Sequence, residues 1–160
     1  MMSDFDKAEG LIREFKGDSY VFGLNVLPKL GPLTAGLRAR AALVCNSRSD
    51  REPFLQGVYS VLGRSGVTPI THLEGARSNA PREDVERMAE ELRALSPDVT
   101  FALGGGSSID AAKAAVVLSC LGGSVDDFFG VGKVTHELQA TVKTLTPIVV
   151  ASVLADVIRA

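Results

Sequence analysis

Apolar residues fall into two alternating patterns along this chain. Short continuous runs, Ala41-Ala42-Leu43-Val44-Cys45 within Arg40–Asn46, Val99 to Leu103, and Ile148 to Ala151, have the length and composition of strands buried on both faces. Val67 to Leu73 predicts a fourth, half-polar strand, and Tyr20-Val21-Phe22-Gly23 a short one near the start. Between them lie helical spacings. Pro53 to Leu62 predicts a helix ended by Gly63 or Gly66, and Val85, Met88, Ala89, Leu92 and Leu95 form an apolar stripe that opens near Pro81 and closes before Pro97. Asn25 to Leu37 is broken by Pro28, Gly31 and Pro32 into two short helical pieces or a loop and a helix. Residues 131–146 read as polar and irregular, and residues 1–20 as charged, with a short amphipathic stretch at Leu11, Ile12 and Phe15. Strands and helices that alternate through short connections predict an α/β fold, a parallel sheet with helices on both faces.

The most informative stretch is Asp98 to Ala114. A buried strand runs into Gly104-Gly105-Gly106, and Ser107-Ser108-Ile109-Asp110 opens a helix. Ser107 is expected to cap that helix, with Asp110 three residues on as the acid of a capping box. A helix start has unpaired N–H groups and a partial positive charge, and glycines let an anion reach the backbone. Three glycines alone would more often serve a plain reversing turn; the strand before them and the cap after them reverse that preference in favour of an anion site. The spacing is neither G-x-G-x-x-G nor a Walker loop, because a serine follows the third glycine and no Gly-Lys-Ser/Thr closes the turn.

Gly104-Gly105-Gly106-Ser107-Ser108-Ile109-Asp110-Ala111-Ala112-Lys113 closely resembles the cofactor-binding signature of the iron-containing (group III) alcohol dehydrogenases, relatives of glycerol dehydrogenase and dehydroquinate synthase. The resemblance extends from about Phe22 to Ala151. Phe22-Gly23 stands for the family's opening strand, and Leu43-Val44-Cys45-Asn46 for a strand that usually ends in an acid. Gly75-Ala76-Arg77-Ser78-Asn79-Ala80-Pro81 matches a proline-rich loop loosely, Asp127-Phe128-Phe129-Gly130 a short aromatic element, and Pro147-Ile148-Val149-Val150-Ala151 a later strand.

The resemblance implies a Rossmann-like dinucleotide-binding domain over residues 1–160, with NAD or NADP as ligand and Gly104, Gly105, Gly106, Ser107, Asp110, Asn46 and Lys113 as its cofactor-binding residues. Lys113 is either a solvated charge or a distant attraction for phosphate. An acid in the place of Asn46 would bind a ribose 2′-hydroxyl and repel a 2′-phosphate. With Asn46 there, and Ser47 and Arg48 beside it, NADP is admitted; the other reading is a plain polar turn. In the family a helical second domain supplies an Asp and three His that hold the catalytic metal. Here the match fails at Ser152-Val153-Leu154-Ala155-Asp156, and His72 and His136 stand far apart. The chain therefore reads as truncated at its C-terminus, with the metal domain absent and iron or another divalent metal expected only in a full-length relative. The expected activity is hydride transfer between NAD(P) and an alcohol or aldehyde, with these residues as the cofactor-binding half and no catalytic residue of their own. A silent dinucleotide-binding or oligomerisation module, or a sugar-phosphate cyclase-like relative, are the alternatives. Self-association is implied by the family.

Composition excludes more than it adds. The 160 residues suit one domain with a core, and a net charge of −2 with no tryptophan gives no footprint for nucleic acid or an anionic membrane. Cys45 and Cys120, unpaired by spacing, read as buried free thiols of a reducing compartment. The polar N-terminus and the short apolar runs predict a cytoplasmic protein that does not enter a membrane. The adjacent acids Asp126 and Asp127 diverge on a helix and read as helix-start charges rather than a catalytic pair.

Overall fold

Strands β1 (Arg40–Cys45), β2 (Thr68–Glu74), β3 (Val99–Gly104) and β4 (Ile148–Ser152) form one parallel sheet in the order β2-β1-β3-β4. The computed structural model of the chain describes residues 4–17, 21, 26–37, 39–46, 52–141 and 143–152. Alternate residues of a strand face opposite sides of the sheet, and both sides are covered. Leu43, Cys45, Val99, Phe101 and Leu103 belong to one core, with α2 (Leu30–Thr34) and α3 (Glu52–Arg64) contributing Leu30, Leu55, Val58 and Leu62. Ala42, Val44 and Ala102 belong to the other, with Met88 and Leu92 of α4 (Arg82–Leu95) and Ala112 and Ala115 of α5 (Gly106–Leu121). Leu43 and Phe101 are register partners on the two central strands and are fully buried, which is why both strands read as continuous apolar runs. The fold is the α/β one that the alternation predicts and the Rossmann-like one that the resemblance implies.

Local chemistry sets the helix ends. Pro81 occupies the N-cap of α4, with Glu83 and Asp84 in the first turn, where acids suit the helix dipole. Ser96 ends the helix in a left-handed conformation and donates its N–H to the Leu92 carbonyl; Pro97 then prevents continuation. Gly122, at φ +81°, stops α5.

Two expectations are corrected and one is extended. Residues 133–141 form a helix, α6 (Lys133–Thr141), inside the stretch read as irregular. None of its residues is fully buried, and its half-buried apolar residues are only Val134 and Leu138, one turn apart, too short a stripe to mark a helix in sequence. The N-terminal amphipathic stretch belongs to one helix of 13 residues, α1 (Asp4–Lys16), whose acids open it and whose basic residues close it. Cys45 is buried, but Cys120 is only half-buried; both are free thiols. Asn25 to Leu37 resolves into a short 3-10 turn, Leu27–Lys29, and α2, over the described part of that stretch. Tyr20, Phe22 and Gly23, the turn Ser47 to Asp50 with Arg48, and Val153 to Ala160 lie outside the described residues.

Candidate functional site

The sheet order contains a reversal. From β1 the chain passes through α3 to β2 on one side, then through α4 to β3 on the other side of β1. The crevice at the carboxyl ends of β1 and β3 is therefore the switch point, where open parallel sheets bind ligands. Asn46 follows β1 there, and Gly104-Gly105-Gly106 follows from β3.

Gly104 has a φ of +149°, a backbone geometry that side chains rarely adopt, and it turns the chain out of the strand. Gly105 is the N-cap of α5, in extended geometry, and no side chain among the described residues caps the helix. Among those residues the first N–H groups of α5 therefore have neither an intrahelical nor a side-chain partner. Gly105 and Gly106 are exposed, and a Cβ added to either would meet no atom within 4 Å. Packing among the described residues gives no reason for glycine at these two positions.

Ser107 is not the cap. It is the second residue of α5, and its hydroxyl oxygen accepts a hydrogen bond from the Asn79 N–H at 3.1 Å. The N-cap falls two residues earlier, at Gly105, in the extended geometry that an N-cap residue ordinarily takes. Asp110 closes no capping box either. It pairs with Lys113 at 3.3 Å, both exposed on the outer side of α5. Lys113 lies seven residues beyond Gly106, about 10 Å along the helix axis.

The loop between β2 and α4 builds the third wall. Asn46 donates from Nδ2 to the Ala76 carbonyl at 3.0 Å, and Ser108 donates from Oγ to Asn46 Oδ1 at 2.7 Å. Asn79 and Ala80 both hold positive φ, at 66° and 48°, which brings the Asn79 amide onto Ser107. Arg87 donates to the Glu74 carbonyl at 2.8 Å, and Arg77 is held by Asp84. These hydrogen bonds from the Arg77 side chain and backbone keep the Asp84 carboxyl below the usual range for an aspartate. Sequence reading missed Ser108, Gly75, Asn79 and Asp84 as members of the site. A serine on the buried side of an otherwise apolar helix was the one visible signal.

Other singled-out residues have local duties. His72 donates from Nε2 to the Cys45 carbonyl at 2.7 Å, which ties β2 to β1. His136 is exposed on α6, beside an open cleft of about 710 Å³ at the far end of α5. Asp127 accepts from the backbone and hydroxyl of Ser124 in a capping box, which lowers its pKa, while both Asp126 oxygens accept from Arg82. Among the described residues no group of three or more His, Cys, Asp or Glu could hold a metal ion, so the donors described here do not fit one. No helix among them is long and apolar enough to cross a membrane.

Comparison with solved structures returns the same architecture. An archaeal alcohol dehydrogenase from a Red Sea brine pool superposes with a TM-score of 0.65 at 27% identity, over 82% of this chain and 34% of that one. An iron-containing alcohol dehydrogenase from Thermotoga maritima gives a TM-score of 0.65 at 27% identity, with the same 82% and 34% coverage. Sulfoacetaldehyde reductase from Bifidobacterium kashiwanohense, solved in complex with NAD+, shares the fold at 20% identity, with a TM-score of 0.61 over 81% of this chain and 32% of that one. The chain thus spans about a third of the length of the solved relatives it matches. No curated protein sequence matches it. The sequence model for iron-containing alcohol dehydrogenase matches residues 18–153, most of the chain, and the chain therefore belongs to that family.

Proposed function

We propose that residues 1–160 are the dinucleotide-binding part of an iron-type alcohol dehydrogenase, which holds NAD(H) or NADP(H) at the mouth of the β1–β3 crevice. One observation supports this above the rest. Two exposed glycines with open space at their Cβ positions sit at a helix N-terminus that no side chain among the described residues caps, at the switch point of a parallel sheet.

In this reading Gly104 aims the turn, and Gly105 and Gly106 let the pyrophosphate approach the backbone N–H groups of α5. Ser107 uses an oxygen lone pair on Asn79, so its O–H is free to be donated to a phosphate oxygen. Asn46 puts a neutral group where a carboxylate would repel a 2′-phosphate, so both cofactors are admitted. Lys113, paired with Asp110, contributes a long-range field rather than a contact.

When bound, the cofactor supplies the hydride carrier: an alcohol loses a hydride to NAD(P)+ and a proton to solvent, giving an aldehyde and NAD(P)H. The described part of the chain binds and orients that carrier, and no step is assigned to a metal held by it.

Calorimetric titration with NAD+ and then NADP+ tests the reading. Saturable binding of both, abolished by Gly105→Asp, is the expected result. No binding by a chain that circular dichroism shows to be folded would overturn it.

A further inference from the structure

Ser108 and Asn46 stand 62 residues apart in sequence, and their side chains meet at 2.7 Å across the crevice. Ser108 is nearly fully buried in the first turn of α5, while Asn46 leaves the end of β1. The direction of each bond is fixed. The Ala76 carbonyl can only accept, so Asn46 turns its NH2 group toward it and leaves Oδ1 for the Ser108 hydroxyl.

A second observation shows that the chain makes room for this arrangement. A Cβ at Gly75 would lie 2.1 Å from Asn46 Oδ1. Gly75 is not in the left-handed region, so its lack of a side chain answers to space rather than to backbone geometry. The loop that begins at Gly75 then reaches the neighbouring serine, where the Asn79 N–H meets Ser107 Oγ at 3.1 Å. Two adjacent serines of the helix start are thus held by a single loop, Ser107 directly and Ser108 chiefly through Asn46, with a longer contact of its Oγ to the Ala76 carbonyl at 3.4 Å.

We propose that Asn46 and Ser108 are positioning residues. They latch the end of β1, the β2–α4 loop and the first turn of α5 into one rim, and so fix where the N–H groups of Gly106, Ser107 and Ser108 point. Asn46 acts through α5, and the amide that sequence reading places beside the ribose is committed to the protein. This inference rests on the dinucleotide reading above. A group held in place by buried hydrogen bonds binds better than one that must be ordered by its ligand, and the loss on release is of the size of one such bond.

The test is a fluorescence titration of the 160-residue chain with NADH. Ser108→Ala and Asn46→Ala are each expected to weaken binding by about tenfold, the equivalent of one hydrogen bond. The double variant should be no weaker than either single one by more than about twofold, because both remove the same latch. Ser108→Thr keeps the hydroxyl and should bind like the parent. Additive losses, or a Ser108→Thr variant as weak as Ser108→Ala, overturn the proposal, since a general loss of packing gives either result. A parent that fails to bind overturns the dinucleotide reading and this proposal together; a parent that binds no better than Ser108→Ala overturns the latch alone. Hydrogen exchange without ligand gives a second reading if the variants prove fragile. Exchange at the Asn79 amide should quicken in Ser108→Ala while β1 and β3 stay protected, and an unchanged Asn79 rate overturns the latch.

Discussion

Asp84 receives three hydrogen bonds from one residue, Arg77: from its backbone N–H at 2.8 Å, from Nε at 3.0 Å and from a terminal guanidinium nitrogen at 3.2 Å. Asp84 sits in the first turn of α4 and Arg77 in the loop that borders the glycine turn. The pair folds that loop back onto its own helix. Because Arg77 favours the ionised carboxylate, the pKa of Asp84 is lower folded than unfolded. The stability it contributes is therefore complete above the ordinary carboxylate range, near pH 4, and is lost as pH falls through the lowered folded value. Asp84→Asn should melt several degrees below the parent at neutral pH. The gap should narrow in acid, as thermal melts across a pH series would record.

Neighbouring glycines should behave in opposite ways. Gly104 has φ +149°, so Gly104→Ala places a side chain in a strained conformation and should cost about 1–3 kcal/mol in urea unfolding. Gly105 has φ −85° and open space at its Cβ, so Gly105→Asp should leave the melting temperature close to that of the parent. Its carboxylate would occupy the proposed phosphate position and remove dinucleotide binding. Equal losses of stability in both variants would contradict the description of the turn.

Phe101 is fully buried on β3 beside Leu43 of β1. Phe101→Ala removes most of that side chain from the core and should destabilise the chain by about 3–5 kcal/mol in denaturant unfolding. That is a large share of a typical domain's stability, roughly 5–15 kcal/mol, so the variant should be partly unfolded near body temperature.

Lys113 offers the converse case. It and Asp110 form an exposed pair, and removing such a pair changes stability by less than about 0.5 kcal/mol. Lys113→Ala should also leave dinucleotide affinity within about twofold at physiological salt, where charges about 10 Å away are largely screened. A tenfold loss, as one lost charge-assisted contact produces, would place Lys113 on the phosphate after all.

The central sheet was legible because its strands are buried on both faces, so Leu43, Val44, Phe101 and Leu103 stand in apolar runs interrupted only by the buried Thr100. The glycine turn was legible because strand, glycines and helix are contiguous in sequence. The latch was not, because Asn46 and Ser108 meet only once the strand order is known. The bends at Asn79 and Ala80 were hidden for a different reason: no glycine marks their positive φ. Helix α6 escaped because it buries no residue fully and offers only Val134 and Leu138 as a half-buried apolar pair. The cap was misplaced at Ser107 because residue preference favours serine, while the backbone settles on Gly105 and leaves the serine hydroxyl to the neighbouring loop.

The central claim is that the turn at Gly104–Ser107, and no other surface of the described chain, receives the dinucleotide. Mapping amide chemical shifts of the isotopically labelled chain during titration with NAD+ tests this most directly. The predicted result is that the largest shifts fall on Gly105, Gly106, Ser107 and Asn79, at the carboxyl ends of the central strands. Shifts centred instead on Gly132, Lys133 and His136, in the cleft at the opposite end of α5, would contradict it.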